Sequence, residues 1–179
     1  MNEQELWTLL EEARQAMGVA STPFSCAVTV EAVRRGLADH GIATSAKGAF
    51  IAGVSVEFDL LIPKAGAMPE YGMLYYPDEV LAALKVGCMG AQRRSSCADL
   101  KTNFQRVRSR NPEIFCAYVT LTERLGYKDQ VTTENLGWPA YTLFYHSGAG
   151  NNLLLTSTGD WERLVRALQN LSSLVAVAA

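Results

Sequence analysis

The sequence contains no apolar run of the roughly 20 residues that a membrane-spanning helix requires. It is also poor in charge, since Asp, Glu, Lys and Arg make up 19% of the 179 residues, below the usual quarter. Its 16 basic and 18 acidic side chains leave a net charge of -2, which excludes a wholly basic nucleic-acid-binding chain but permits a local basic patch. Apolar residues make up 49% of the chain. This composition argues against disorder and favours one soluble globular domain over residues 1–179.

Cysteine pairs, histidine and nucleotide-binding motifs are scarce or absent. The four cysteines are far apart and form no CxxC pair, which favours four reduced thiols; they are Cys26, Cys88, Cys97 and Cys116. The first twelve residues carry four glutamates and no basic segment, unlike a signal peptide. We therefore expect a cytoplasmic protein without membrane contact. The absence of GxxxxGK[ST], GxGxxG and GxSxG leaves phosphate-loop, dinucleotide and serine-hydrolase sites without support.

The hydrophobic periodicity predicts an α/β protein. Helices are expected over 4–17, 22–41 and 96–110 and from Asp160 onward, and strands over 49–52, 54–62, 80–86, 114–121 and 141–146. This order favours a central mixed β-sheet of about five strands with helices on both faces, an α/β/α sandwich. Within the single domain we distinguish an N-terminal helix (1–20), a core (27–121) and a final strand and helix (141–171).

One segment carries a family resemblance. A hydrophobic strand that contains Asp59 is followed by a loop over 64–79, by the apolar strand 80–86 and by a glycine-bearing turn and an amphipathic helix. This order resembles the restriction-endonuclease-like, or PD-(D/E)xK, nuclease superfamily. The resemblance implies that Asp59 and a (D/E)xK triplet on the next strand hold Mg²⁺ and position a water, and that Glu31 adds a carboxylate from the preceding helix. It also implies a role in bacterial or phage DNA defence or metabolism.

The triplet itself departs from the family pattern. When 80–87 is aligned with the family's VLAVIEVK form, Lys85 takes the carboxylate position and Gly87 the lysine position. Residues separated by one position on a strand share a face, so Lys85 is expected to pair with Asp59 and to repel Mg²⁺. The sequence thus predicts an eroded metal site. The alternative is an active Mg²⁺-dependent nuclease whose site is rebuilt from Asp59, Glu57 or Glu31, with Lys85 or Lys64 as the lysine.

A basic stretch over 91–110 is the second candidate surface. It holds six cations against the single anion Asp99; they are Arg93, Arg94, Lys101, Arg106, Arg108 and Arg110. Salt-sensitive binding to nucleic-acid phosphates through Arg93, Arg94, Lys101 and Arg108 is one interpretation, and a solvated helix face is the other. A third possible function is a non-catalytic protein that self-associates or binds a partner. It would use its aromatic loops (Tyr71, Tyr75, Tyr76 and Trp138) or the apolar tail 174–179.

Overall fold

The computed structural model describes residues 1–17, 22–46, 48–87, 97–124, 131–147 and 154–178. The helices are α1 (Glu3–Met17), α2 (Thr22–Asp39), α3 (Cys97–Arg110), α4 (Thr133–Leu136) and α5 (Asp160–Ala178), with a 3-10 turn at Pro77–Glu79. The strands are β1 (Ala49–Ile51), β2 (Glu57–Phe58), β3 (Leu60–Pro63), β4 (Leu74–Tyr75), β5 (Val80–Gly87), β6 (Phe115–Arg124), β7 (Ala140–Ser147) and β8 (Leu154–Ser157).

The centre of the molecule is a five-stranded mixed sheet in the order β3-β5-β6-β7-β8. Strands β5, β6 and β7 are parallel, and β3 and β8 run antiparallel to their neighbours at the two edges. β5 is nearly continuously apolar because both of its faces are covered, as is usual for an inner strand of a parallel sheet. The expected mixed sheet of about five strands, with helices on both faces, is confirmed.

Alternate residues of the inner strands pack into two separate hydrophobic cores. Ala82, Leu84 and Val86 of β5 belong to a core with residues of α1, α2 and α5. Ala83 faces the opposite way, into a core with α3, α4 and the second sheet. Lys85 shares the pleat direction of Ala83, and it therefore lies on the α3 face of the sheet.

The second sheet is small, with three strands in the order β2-β1-β4. The expected strand over 54–62 is divided between the two sheets: β2 pairs with β1, and β3 pairs with β5. Asp59 is the residue between them. The division leaves Asp59 out of both ladders, at the point where the chain passes from one sheet to the other.

Three short elements are absent from the sequence-based assignment. β4 has two residues, and β8 and α4 have four each, which is too short for a period to be recognised. Helix α4 does carry a local signal, because the Thr132 hydroxyl accepts a hydrogen bond from the Asn135 backbone N–H and Gly137 ends the helix at φ 72°.

The cysteines differ from the sequence-based expectation. Cys97 and Cys116 are free and buried, whereas Cys26 is disulfide-bonded. The expectation of four reduced thiols is therefore wrong at Cys26, because sequence spacing does not report which thiols are close in space. Within the described ranges, no helix is both long enough and apolar enough to cross a bilayer.

Candidate functional site: an ion pair at the end of strand β5

The Asp59 carboxylate is bonded to the backbone of β5. Its Oδ2 accepts a hydrogen bond from the Val86 N–H at 2.8 Å. The ladder between β3 and β5 reaches only to the pair Leu60–Leu84, so the next N–H along that edge of β5 has no partner on β3. Asp59 supplies that partner from the linker between the sheets, and a partly buried backbone donor is satisfied.

Lys85 forms an ion pair with Asp59. Its Nζ lies 3.7 Å from Asp59 Oδ2, and the two side chains are 23% and 28% exposed, respectively. The same Nζ lies 5.8 Å from the centroid of the Phe58 ring, within the range of a cation–π contact. The Coulomb attraction at this separation is about 4 kcal/mol at an effective dielectric of about 20, before desolvation is counted. The sequence-based expectation that Lys85 faces Asp59 agrees with this contact.

The space beside Gly87, two residues further along β5, is already filled. A Cβ atom added to Gly87 would lie 2.1 Å from the Tyr118 hydroxyl oxygen and 2.9 Å from its Cζ. Tyr118 is 1% exposed and comes from β6, where it is aligned with Lys85. A side chain of any size at position 87 would have to displace this ring. The sequence contained no signal for this contact, because it depends on the parallel alignment of β5 with β6.

Within the part of the chain that the structure describes, Lys85 is the only proposed site residue that forms an ion pair with Asp59. Glu57 is exposed on β2, where it is aligned with Phe50 of β1. The Lys64 N–H donates to the Glu79 carbonyl at the opposite end of the β3–β5 ladder. Among the residues that the structure describes, no group of three or more His, Cys, Asp and Glu side chains is arranged to hold a metal ion.

Glu31 is held by its own helix. Its carboxylate accepts hydrogen bonds from Arg34 Nε and Nη2 and from Arg35 Nε, each at 2.8 Å. These charge-assisted bonds lower the pKa of Glu31 to about 2. Helix α2 packs into the core on the face of the sheet opposite Lys85. The carboxylate of Glu31 thus binds two arginines of its own helix and does not contact Asp59.

Comparison with solved structures gives a match to the whole α/β fold. The chain is similar to NucC of P. aeruginosa ATCC27853 in its cAAA-bound form, with a TM-score of 0.60 over 94% of this chain and 91% of that chain. The sequences are 10% identical, so the likeness concerns the fold. No protein-family model matches the chain, and no curated protein matches its sequence. The likeness confirms the expected α/β architecture, a mixed sheet flanked by helices.

Helix α3 carries cations on both sides of its buried stripe. The stripe consists of Cys97, Leu100, Phe104 and Val107. Lys101 and Arg108 are seven positions apart and share one flank, where the Arg108 guanidinium lies 5.8 Å from the centroid of the Trp138 ring. The other two candidates for nucleic-acid binding, Arg93 and Arg94, lie outside the described residues.

The opposite flank of α3 carries Arg106 and Arg110, which are four positions apart and both exposed. Arg110 Nε donates to the Gly53 carbonyl at 3.1 Å, in the turn that follows β1. In the described part of the chain, no ion pair involves either arginine or Lys101 or Arg108. Two separate cationic surfaces therefore face solvent, one beside Trp138 and one beside the small sheet.

Proposed function

We propose that this protein has a nuclease fold without a working metal site, and that it binds nucleic acid without cleaving it. The observation that carries the proposal is the contact between Asp59 and Lys85. The one carboxylate that matches the family's metal ligand is bonded to the Val86 N–H and paired with an ammonium group 3.7 Å away. An ammonium group at that position opposes the binding of a divalent cation, which needs several oxygen ligands.

The crowding at Gly87 supports the loss of the triplet. In the alignment with the family, position 87 is that of the lysine, yet a Cβ there would lie 2.1 Å from the Tyr118 hydroxyl. Restoring the triplet therefore requires more than the exchange of Lys85 and Gly87, because the Tyr118 ring must also move.

The flank of α3 with Lys101 and Arg108 supports nucleic-acid binding. Its two cations have no carboxylate partner in the described part of the chain, and an aromatic ring, Trp138, lies beside Arg108. Cations bind phosphates without sequence preference, and aromatic rings stack on unpaired bases. This combination favours sequence-independent binding to a nucleic-acid backbone.

The biological setting is proposed from the family resemblance, which implies bacterial or phage DNA defence or metabolism. The likeness to NucC supports the resemblance at the level of the fold, since it extends over most of both chains. We propose that this protein is a nucleic-acid-binding component of DNA defence.

The first experiment is a cleavage assay on plasmid, single-stranded DNA and RNA with Mg²⁺ or Mn²⁺. We expect no cleavage by the wild-type chain and the same result for Asp59→Ala. Metal-dependent cleavage that Asp59→Ala abolishes would contradict the proposal and favour the active nuclease. Cleavage that persists in the variant would locate the activity elsewhere.

The second experiment is a binding titration over a series of salt concentrations, read by fluorescence anisotropy of a labelled oligonucleotide. We expect Lys101→Ala with Arg108→Ala to weaken binding at every sequence tested and to reduce the slope of log K against log salt by about 2. Arg166→Ala is the matched control, because Arg166 is exposed on α5, which packs on the other face of the sheet. If no binding occurs even at low salt, nucleic-acid association is wrong and a protein-interaction function remains.

A further inference from the structure

Exposed large apolar side chains are concentrated in one short segment. Within the described ranges, those exposed are Met68 (80%), Tyr71 (88%), Met73 (47%) and Tyr76 (45%). All four fall within nine residues, and we call them the aromatic turn. Isolated exposed apolar side chains are ordinary, but a contiguous set on a soluble domain marks a contact surface.

The backbone holds this turn in a defined shape. The N–H of Met73 donates to the carbonyl of Glu70, and Glu70 and Leu74 exchange two further bonds at 2.8 and 2.9 Å. The Tyr76 hydroxyl also donates to the Glu70 carboxylate at 2.9 Å. The turn is therefore pre-ordered before any partner binds, which lowers the entropic cost of docking.

Tyr71 sits at the tip in a conformation that is costly for a large side chain. Its φ is 52°, and among the described residues it is the only one other than glycine with a positive φ. Such strain costs of order 1 kcal/mol or more and concentrates at functional positions. Here the residue with the strained backbone is also the most exposed of the four.

The charged side chains in and beside the aromatic turn are acidic. The turn and the 3-10 helix that follows it carry the carboxylates of Glu70, Asp78 and Glu79. The complementary surface on the same molecule is the flank of α3 with Arg106 and Arg110. It lies next to the turn, because the Asn111 side-chain amide donates to the Pro77 carbonyl at 2.9 Å. It is also separate from the Lys101–Arg108 flank proposed for nucleic acid.

We propose that the aromatic turn docks against the Arg106–Arg110 flank of a second copy of this chain. In a dimer with two-fold symmetry the contact is reciprocal. The aromatic turn of each copy contacts the Arg106–Arg110 flank of the other copy. Reciprocity also increases the contact area, since stable interfaces bury about 1,200–2,000 Å² in total and one turn alone offers far less. Arginine beside exposed tyrosine adds a cation–π contact to the ion pairs.

The test is the association constant of the full chain by sedimentation velocity at several salt concentrations. The wild type is expected to form a dimer that weakens as salt rises. Tyr71→Gly, which tolerates the positive φ, and Arg106→Glu are each expected to raise the dimer dissociation constant at least about tenfold. Arg166→Glu, on the other face of the molecule, is the matched control and is expected to leave the constant unchanged.

A mixing experiment separates a reciprocal contact from general damage. In a mixed dimer of the Tyr71→Gly and Arg106→Glu chains, one contact carries both substitutions and the other is intact. Mixing is therefore expected to give tighter association than either variant alone. A wild-type chain that stays monomeric, a dimer insensitive to both substitutions, or no gain on mixing would each overturn the proposal.

Discussion

The Tyr118 hydroxyl occupies the space on the sheet where a side chain at position 87 would stand, at 2.1 Å from a Cβ atom added to Gly87. Gly87 does not adopt a positive φ, so its backbone alone does not require glycine. The neighbouring strand imposes that requirement. A close approach of this kind couples the two residues energetically.

The first prediction concerns this coupling. Gly87→Ala is expected to lower the free energy of unfolding by about 1–3 kcal/mol, because the added methyl group overpacks the contact with Tyr118. In a Tyr118→Phe background the nearest atom is gone, so the same substitution is expected to cost less. Urea denaturation of the two single variants and the double variant measures the difference. Equal costs in both backgrounds would show that the two residues are not coupled.

The second prediction concerns Asp59. Asp59→Ala removes the acceptor of the Val86 N–H and leaves Lys85 without its partner, so a loss of about 1–3 kcal/mol is expected. Asp59→Asn keeps a side-chain carbonyl for the Val86 N–H and is expected to lose less. Chemical denaturation measures both, and thermal denaturation with added Mg²⁺ provides the contrast. If Mg²⁺ raises the melting temperature of the wild type and not of Asp59→Ala, the carboxylate is a metal ligand and the eroded site is wrong.

The third prediction is a pH dependence that arises from Glu31. Arg34 and Arg35 lower its folded-state pKa from 4.5 to about 2. A lowered pKa contributes stability that is present above pH 4.5 and is lost as the pH falls toward 2. Wild type and Glu31→Gln should therefore differ most in melting temperature above pH 4.5, and the difference should vanish toward pH 2. The contribution is expected to stay below about 1 kcal/mol, because the carboxylate is 38% exposed. A difference that grows as the pH falls would contradict the ion-pair account.

The fourth prediction concerns thiol reactivity. Burial raises the pKa of Cys116 to about 12, and the residue is 1% exposed. At pH 8 its thiol is protonated and shielded, so Ellman's reagent should not modify it in the folded protein. Cys116→Ser is thus expected to leave the count of reactive thiols unchanged under native conditions and to lower it by one in denaturant. A lower count under native conditions would mean that the segment opens.

Several elements could be assigned from local sequence, because each carries its own pattern. β5 is an apolar run between Glu79 and Gly87 that is interrupted only at Lys85, and α3 shows its buried stripe at three- and four-residue spacing. The two-residue strand β4 has no such pattern. It exists because the Phe50 and Ala52 N–H groups donate to the Met73 and Tyr75 carbonyls, which are contacts between distant parts of the chain.

The sequence by itself determined the α/β class, which follows from the order and the periodicity of the helices and strands along the chain. It also predicted that Lys85 faces Asp59, which follows from the two-residue period of a strand. Tertiary structure alone decided what surrounds that lysine. The passage of the chain between two sheets brings Asp59 to Val86. The parallel alignment of β5 with β6 places Tyr118 against Gly87, and the packing of α2 on the opposite face keeps Glu31 away. These contacts join residues that lie tens of positions apart, and periodicity reports only the face that a residue occupies.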